Sequence, residues 1–300
     1  MASKKDLDFT YTTIDKIFRL SIGETGDFSG AKYDGDFSMS LEDAQKEKHR
    51  FIADSLYIKK GTKVLDMACG WGPFLTYIKE RGAVATGLTL SEGQAKACQK
   101  NGLNVLVKDC RYVKPTDFGQ FDAISCIGGL EHFCSIEEWQ AGKQEKIYND
   151  FFKTIYELLP VGGRFYMQTM VFSKNMIPFN EININAKKGS TSHVLALMIE
   201  EFPGSWLPDS PEMVIRNASP MFKFISMSSG RLDYIETIAQ WRKRFRKFNL
   251  KKYLLYASLL PKVLTSKAFR KQVDIFTISP NRVCFQEESM DHYRLLFEKV

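Results

Sequence analysis

Two short segments of the chain carry residue types suited to group-transfer chemistry. In Val64-Leu-Asp-Met-Ala-Cys-Gly-Trp-Gly72, Asp66 ends an apolar run and two glycines precede a helical pattern. Glycines let the backbone approach a ligand, and the N-terminus of the following helix offers free N–H groups. In Gly128-Gly-Leu-Glu-His-Phe133, Glu131 and His132 follow a later apolar run. The two segments predict a cofactor loop and an acidic site at the ends of neighbouring strands.

The loop favours S-adenosylmethionine over a dinucleotide as its ligand. Its spacing is Asp-x-Ala-x-Gly-x-Gly, whereas dinucleotide enzymes use Gly-x-Gly-x-x-Gly to grip a pyrophosphate. The next strand ends in Thr89-Leu-Ser91 instead of the acid that holds an NAD ribose. A third strand ends at Lys108-Asp109, where a carboxylate can accept the adenine amino group. We therefore expect Asp66 to hold the ammonium group of the cofactor.

The elements around these segments predict an α/β fold. Short apolar runs alternate with helical patterns from Lys63 to about Phe172, which indicates a Rossmann-like, doubly wound, mostly parallel sheet with helices on both faces. The predicted strands cover residues 63–67, 83–88, 104–107, 121–127 and 163–170, and two closing strands cover Phe222–Met227 and Asn281–Glu287. Helices are predicted at Asp15–Leu20 and, after the cap residue Ser40, at Leu41–Tyr57.

The same patterns divide the chain into four parts. We expect an N-terminal helical extension over residues 1–60, a cofactor-binding core over 61–171, an inserted helical lid over 172–220, and a C-terminal part of the core with a basic helical insertion over 221–300. There is no leader pattern and no apolar run long enough to cross a bilayer, so a cytoplasmic protein is expected. The six cysteines follow no metal-ligand spacing, so neither a disulfide nor a metal site is expected.

Several motifs together resemble the cyclopropane fatty acid synthase and cyclopropane mycolic acid synthase family of class I methyltransferases. They occur in the same order from about residue 25 to the C-terminus. The motifs are Phe28-Ser-Gly-Ala-Lys-Tyr33, Gly87-Leu-Thr-Leu-Ser-Glu-Gly-Gln94, Gly128-Gly-Leu-Glu-His-Phe133, Phe202-Pro-Gly-Ser-Trp-Leu-Pro208 and Asp233-Tyr-Ile-Glu-Thr237.

The resemblance implies methyl transfer to an alkene carbon, with Glu131 and Tyr234 in the active site. It also implies a bound bicarbonate that helps to remove a proton in cyclopropane synthases. Two of the family's bicarbonate partners, a cysteine and a histidine, are Gly30 and Gln168 here. We therefore expect an altered bicarbonate site. The residues that the resemblance places around the cofactor are Ser29, Gly70, Gly72, Thr89, Leu90, Gln94, Asp109, Cys110, Ile127 and Gly128.

The expected activity is S-adenosylmethionine-dependent methylation or cyclopropanation of an unsaturated, lipid-like acceptor. Alternatives are a C-methyltransferase of a prenyl diphosphate, an N-methyltransferase of a hydrophobic amine, and a regulatory protein that binds cofactor or lipid without turnover.

The formal charge of +7 includes a basic segment, Trp241-Arg-Lys-Arg-Phe-Arg-Lys-Phe248. This segment is either a solvated helix face or a contact for an anionic membrane or an acyl-carrier protein. No nucleic-acid-binding module accompanies it.

Overall fold

The computed structural model describes Ile22 and residues 26–201, 205–265 and 279–300. The strands are β1 (Lys63–Asp66), β2 (Val84–Thr89), β3 (Asn104–Val107), β4 (Ala123–Ile127), β5 (Arg164–Phe172), β6 (Phe222–Ser229) and β7 (Met290–Lys299). The α-helices are α1 (Leu41–Ser55), α2 (Pro73–Glu80), α3 (Glu92–Lys100), α4 (Pro115–Phe118), α5 (Ile136–Gln140), α6 (Gln144–Leu158), α7 (Thr191–Glu201), α8 (Pro211–Ala218), α9 (Arg231–Arg246), α10 (Leu250–Thr265) and α11 (Pro280–Gln286). Short 3-10 turns cover Cys110–Tyr112, Leu130–His132 and Phe179–Glu181.

One seven-stranded sheet has the order β3-β2-β1-β4-β5-β7-β6. The strands from β3 to β5 are parallel, and β7 runs antiparallel to both β5 and β6. From β1 to β3 the chain adds strands on one side of β1, and from β4 onward it adds them on the other side. The order of the strands therefore reverses between β1 and β4. Such a reversal opens a crevice at the carboxyl ends of the strands, which is where ligands bind in open α/β sheets.

Successive residues of the central strands pack into different apolar layers. Leu65 of β1 and Phe165 of β5 pack with helix α6 on one face of the sheet. Their neighbours Val64 and Tyr166 pack with α1 and α2 on the other face. This division follows from the two-residue period of a strand. The near-continuous apolar runs in the sequence therefore correspond to strands that are buried on both faces.

The sequence predicted most of these elements correctly. The expected strands up to Phe222–Met227 are present with ends shifted by a few residues, and α1 begins after Ser40, whose side chain accepts a hydrogen bond from the Asp43 N–H. The strand predicted at Asn281–Glu287 is wrong, because this stretch forms helix α11 and the closing strand is β7. The helix predicted at Asp15–Leu20 lies outside the described residues.

Helix α1 contributes a buried ion pair to the fold. The Lys48 Nζ atom lies 2.5 Å from Asp27 Oδ2, and the Nε2 atom of His49 lies 3.0 Å from the same oxygen. Both members of the Lys48–Asp27 pair are almost fully buried. Burial alone would raise the pKa of Asp27, but Lys48 and His49 hold that pKa well below its usual range. Asp27 is therefore an ionised carboxylate inside the protein.

Asp27 begins a segment, residues 27–33, that crosses the sheet and that we call the strap. Two strands bind its carbonyl groups: the Gln168 side chain of β5 donates to the Gly30 carbonyl at 3.0 Å, and Arg294 of β7 donates to the Ala31 carbonyl at 2.8 Å. Helix α9 binds its N–H groups through Thr237 Oγ1, at 3.0 Å from Ala31 N, and Asp233 Oδ1, at 3.2 Å from Tyr33 N. The strap thus joins α1, β5, β7 and α9.

The buried ion pair should dominate the stability of this region. Replacing Lys48 with methionine leaves the Asp27 carboxylate buried without its cation, which typically costs about 3–5 kcal/mol. Lys46→Met on the exposed side of the same helix is the matched control, and it should change the free energy of unfolding by less than about 0.5 kcal/mol. Urea unfolding of the two variants measures the difference. Equal losses would contradict a stabilising role for the pair.

Candidate active site

Asp66, at the carboxyl end of β1, is a buried carboxyl group with little support from the protein. The Ala68 N–H lies 3.4 Å from Oδ1, and the Ser125 hydroxyl and the charge of Lys48 also lower the pKa of the group. Burial raises the pKa of Asp66 to about 7, and the Ala68 hydrogen bond offsets this increase only in part. A buried carboxyl group with such weak hydrogen bonding is suited to a cationic partner, because a nearby positive charge favours its ionised form.

Two glycines leave the backbone open on either side of this carboxyl group. Gly70 and Gly128 have φ angles of 52° and 66°, and a Cβ atom built on either would meet no described atom within 4 Å. Gly72 is different, since a Cβ atom there would lie 2.7 Å from Leu103 Cδ1. Gly70 and Gly128 therefore allow close approach by a ligand, and Gly72 allows close packing at the start of α2. Ile127, the last residue of β4, directly precedes the open Gly128.

The turn after β2 brings together three residues that the sequence assigned to the cofactor. The Thr89 hydroxyl donates to Gln94 Oε1 at 2.6 Å, and the two side chains are buried. Leu90 between them is 51% exposed at the rim of the crevice. The hydrogen bond fixes the turn between β2 and α3, while the Leu90 side chain remains exposed and open to contact by a ligand.

The end of β3 is held by an ion pair. The Arg111 Nη2 atom lies 2.6 Å from Asp109 Oδ2, and the Arg111 N–H donates to Asp109 Oδ1 at 3.0 Å. The Asp109 carboxylate is thus fixed in orientation before any ligand binds. Cys110 packs in the apolar core, and burial raises the pKa of its thiol to about 12. This thiol is therefore protonated and unsuited to act as a nucleophile.

Ser29 takes part in the ion pair at the start of the strap. Its hydroxyl donates to Asp27 Oδ1 at 2.7 Å and accepts from Lys48 Nζ at 2.5 Å. These two bonds use the hydroxyl proton and one lone pair. The side chain of Ser29 thus fixes the strap, a role that the sequence did not reveal.

Glu131 follows β4 and is buried against the end of β5. One carboxyl oxygen, Oε1, accepts the Met170 N–H at 2.8 Å, while the other, Oε2, is buried without a hydrogen-bond partner among the described residues. Burial raises the pKa of Glu131 to about 7, and the Met170 hydrogen bond acts in the opposite direction. Near neutral pH the group therefore exists in both protonation states.

Glu131 lines an apolar pocket in the described part of the chain. The lining has two other polar side chains, those of His132 and Ser205. The His132 Nδ1 atom lies 3.4 Å from Ser205 Oγ. Burial lowers the pKa of His132 to about 4, so this ring is neutral at pH 7. The apolar lining residues are Met170, Phe172, Met176, Leu195, Met198, Ile199, Leu207 and Met290. The pocket is suited to a flexible apolar chain, because methionine side chains adapt their shape readily.

Tyr234, on α9, lies beside the strap and not in the described lining of this pocket. Its ring centroid is 5.0 Å from that of Phe285 and 4.9 Å from that of His292. A Cβ atom built on Gly30 would lie 3.1 Å from Tyr234 Cγ. The structure thus places Tyr234 against Gly30, while Glu131 lies at the end of β5.

The two departures from the family pattern, Gly30 and Gln168, contact each other. The Gln168 amide donates to the Gly30 carbonyl, and the Met170 N–H, a further candidate donor for an anion, is bonded to Glu131. A side chain at position 30 would press on Tyr234 and on His292, whose Cε1 atom would be 3.3 Å from its Cβ. The Met170 N–H and one of the two Gln168 amide N–H groups are thus already used within the protein, and the carboxylate of Glu131 would repel an anion, so the residues present do not fit a bound bicarbonate.

Sequence reasoning missed four residues that shape the site: Asp27, Lys48, His292 and Arg294. Lys48 gave one signal, because it falls on the apolar side of α1 with Ala44 and Ile52. His292 and Arg294 were hidden because the polar residues of β7 obscured the strand pattern. Each of these residues is understandable only with its partners from distant parts of the chain.

Comparison with known proteins identifies the family. The mycolic acid cyclopropane synthetase family matches residues 2–258 of the chain. Cyclopropane mycolic acid synthase 3 of Mycobacterium tuberculosis is 31% identical over 242 residues, which make up 77% of this chain and 78% of the relative. The chain belongs to this family. It is therefore an S-adenosylmethionine-dependent enzyme of the methyltransferase type.

Solved structures share the fold of this family member. The cyclopropane synthase MmaA2 from Mycobacterium tuberculosis superposes with a TM-score of 0.75 at 21% sequence identity, covering 99% of this chain and 98% of that one. The mycolic acid cyclopropane synthase CmaA1, complexed with SAH and CTAB, superposes with a TM-score of 0.73 at 23% identity and the same coverage. The expected class I methyltransferase fold is confirmed.

The pKa of Asp66 gives a prediction about stability in the absence of ligand. Between its ordinary pKa of 3.8 and its native value of about 7, the native protein retains a proton that the unfolded chain has lost. The free energy of unfolding should therefore fall as pH rises through this window, by about 2–3 kcal/mol between pH 5 and 7 from this group. The side chain of Asp66→Asn cannot lose a proton. In urea titrations this variant should therefore lack the part of the decrease in the free energy of unfolding that comes from Asp66. Parallel pH profiles would contradict the burial of an uncompensated carboxyl group.

Proposed function

We propose that this enzyme methylates an alkene carbon of an unsaturated acyl chain that binds in the apolar pocket beside Glu131. S-adenosylmethionine, when bound, supplies a methyl group on a sulfonium centre, and the alkene electron pair forms the new C–C bond and leaves a carbocation on the acceptor. The observation that carries the proposal is the Glu131 Oε2 atom, which has no hydrogen-bond partner among the described residues and lies in a lining of predominantly apolar residues. It provides one negative charge where a cation develops within an apolar acceptor.

We infer from the resemblance to the family that the crevice residues hold the cofactor, and the geometry of several of them supports this inference. Asp66 would bind the ammonium group, since its buried carboxyl group lacks a strong internal partner. Gly70 and Gly128 would let the backbone approach the ligand, and Asp109 would receive the adenine amino group. The wall of the crevice between the ammonium group and the adenine would be formed by Thr89, Leu90 and Gln94. Support also comes from CmaA1, a structural neighbour that was solved with SAH.

Glu131 would act by electrostatic stabilisation. An alkene is a weak nucleophile, so the rate depends on positioning and on charges that are fixed before the reaction. The Met170 N–H holds one oxygen of the carboxylate in place, which leaves the other directed at the acceptor. In a pocket that excludes water, this charge stabilises a cation more strongly than it would in solution.

The described pocket favours a hydrocarbon acceptor over the alternatives. Its lining contains no lysine or arginine among the described residues, and the same part of the chain contains no cluster of three metal-ligating side chains. A prenyl diphosphate needs both kinds of group near its anionic end. A hydrophobic amine remains the second candidate, because the Glu131 carboxylate would also attract an ammonium product. The position of the transferred methyl group distinguishes carbon from nitrogen acceptors.

Removing the charge of Glu131 should slow methyl transfer while leaving the cofactor site intact. Glu131→Gln should reduce turnover roughly 10²–10³-fold, which is the usual cost of losing a preorganised electrostatic group. The kcat/KM of the wild type should rise with pH up to about 7 and then level off, since the ionised carboxylate is the active form. That rise should be absent from the variant.

The assay follows formation of S-adenosylhomocysteine with unsaturated lipid. Glu137→Gln, an exposed neighbour, is the matched control and should behave like the wild type. Calorimetry should show that Glu131→Gln binds S-adenosylhomocysteine with unchanged affinity. Near-normal turnover by this variant would reduce Glu131 to a structural ligand of the Met170 N–H.

The basic segment Trp241–Phe248 and the following Lys252 also support a proposal. Some of their cations bond within the protein, and others are exposed to solvent. Arg244 pairs with Glu42, and the Lys252 Nζ atom donates to the carbonyls of Phe245 and Lys247 at 2.6 and 2.8 Å. These two cations stabilise the protein itself. Lys243, Arg246 and Lys247 are exposed and available to an anionic partner.

An anionic membrane surface fits these exposed charges best. Apolar side chains stand out from the same region, with Phe248 80% and Leu250 64% exposed, followed along α10 by Leu254, Leu260 and Leu264. Basic residues combined with exposed apolar ones are typical of helices that lie in a membrane interface. No helix in the described part of the chain is long and apolar enough to cross a bilayer. We therefore propose peripheral contact with membrane lipid, and an acyl-carrier protein is the competing partner.

Reversing the exposed charges tests the membrane contact. The triple variant Lys243→Glu, Arg246→Glu and Lys247→Glu should weaken binding to vesicles containing anionic lipid by about 1 kcal/mol per residue or more at low salt. The control reverses Lys46, Lys146 and Lys153, which are exposed elsewhere. Flotation of vesicles measures binding. Equal binding by both triple variants, or binding to an acyl-carrier protein but not to vesicles, would rule out the membrane.

A further inference from the structure

His292 lies next to the acceptor pocket in the register of β5 and β7. Phe172 pairs with Met290, and both line the pocket. The next pair on the same face is Met170 with His292, about 7 Å along the strands, and the Met170 side chain also lines the pocket. Directly opposed side chains in an antiparallel pair lie side by side. His292 is therefore the immediate neighbour of the pocket residue Met170, whose N–H binds Glu131.

Rings and glycines surround the His292 imidazole on the other sides. The Tyr234 ring meets it nearly edge-on, at 4.9 Å between centroids and an interplanar angle of 69°. A Cβ atom built on Gly230 would lie 2.7 Å from Nδ1, and one built on Gly30 would lie 3.3 Å from Cε1. Two glycines thus make room for this ring between the strap and the start of α9.

The ring does not have the hydrogen bonding expected of a structural histidine. Its side chain is buried, yet Nδ1 has no hydrogen-bond partner among the described residues. Leaving such a group unpaired is costly, and most buried polar groups avoid it. Burial lowers the pKa of His292 well below its ordinary value, and the positive charges of Arg294 and Lys48 lower it further. The imidazole is therefore neutral at pH 7, and in the tautomer with its hydrogen on Nδ1 the lone pair lies on Nε2.

We propose that His292 accepts the proton that the methylated acceptor loses, a role that rests on the proposed alkene methylation. One C–H bond breaks. If that bond is on a carbon next to the cationic carbon, its electron pair forms a new C=C bond; if it is on the transferred methyl group, its electron pair bonds to the cationic carbon and closes a cyclopropane ring. The proton moves to the imidazole at Nε2, because Nδ1 is enclosed against Gly230. The resulting imidazolium returns the proton to solvent when the product leaves.

A weakly basic imidazole is sufficient for this step. A carbocation is a far stronger acid than an imidazolium ion, so proton transfer is downhill even to a base with a lowered pKa. What the step requires is a lone pair close to the cation, and the pairing of Met170 with His292 puts the residue that carries one next to a side chain of the pocket lining. The Gln168 amide and the Met170 N–H, which are both bonded within the protein, leave no comparable place for an external base.

Product analysis of His292→Ala tests the proposal. The variant should bind S-adenosylhomocysteine as tightly as the wild type and should still form it from S-adenosylmethionine and unsaturated lipid. Per methyl transferred, the product that has lost a proton should fall at least about tenfold, as expected when a positioned base is removed. Because the shorter alanine side chain leaves space that admits water beside the otherwise dry pocket, the missing product should appear as an alcohol, formed when this water captures the cation. Added imidazole should restore the original product.

His292→Gln provides a second variant with a side chain of similar size, and it should show the same shift in products. His193→Ala is the matched control, because His193 accepts the Gly189 N–H and lies outside the described lining of the pocket. Wild-type activity should persist in carefully degassed buffer without bicarbonate.

Two results would overturn the proposal. One is an unchanged ratio of product to S-adenosylhomocysteine in either His292 variant, and the other is wild-type activity that disappears without bicarbonate and returns when bicarbonate is added. Wild type that forms no S-adenosylhomocysteine with any unsaturated lipid would instead refute the proposed function itself.

Discussion

The buried ion pair between Lys48 and Asp27 is the interaction on which the arrangement of the site depends. It fixes the start of the strap, and the hydroxyl of Ser29 is bonded to both of its members. From that anchor the strap reaches Gln168 on β5 and Arg294 on β7. A buried ion pair is weak evidence for overall stability, since the desolvation of both charges opposes their attraction. Its value here is geometric, because it fixes where the backbone of Gly30 passes over the sheet.

The remaining polar groups of the site differ in whether the protein itself supplies their hydrogen-bond partners. The Gln168 amide and the Arg294 Nη2 atom are bonded within the protein, whereas Arg294 Nε has no hydrogen-bond partner among the described residues. Asp66 has only weak support from hydrogen bonds, and Glu131 and His292 each keep one buried polar atom without a partner in the part of the chain that the structure describes. All three lie at the carboxyl ends of the strands or beside the pocket there. Natural proteins accept such local costs mainly at functional sites, where a ligand or a reacting group completes the contacts.

The sequence predicted the parts of the structure that follow from local patterns. The parallel core and the cofactor loop were predictable because apolar runs, glycines and strand-ending acids recur at short spacing. The closing strand was not, because Asp291 and Arg294 are polar residues whose partners lie on the strap, α9 and β6, and His292 is buried against the Tyr234 ring of α9. For the same reason the sequence pointed to Glu131 but could not reveal His292. Motif reasoning identified Gly30 and Gln168 as departures, and only the fold shows that they bind each other.

The central claim is that the methyl group is attached to an alkene carbon of an acyl chain, and isotope tracing tests it most directly. The protein would be incubated with S-adenosylmethionine labelled with ¹³C in the methyl group and with two lipids that differ only in one double bond. NMR and mass spectrometry of the products would locate the label. The account predicts label at a former alkene carbon of the unsaturated lipid, as a methyl branch or a ring carbon, and none in the saturated lipid. Label on a nitrogen or oxygen atom, or equal labelling of both lipids, would contradict it.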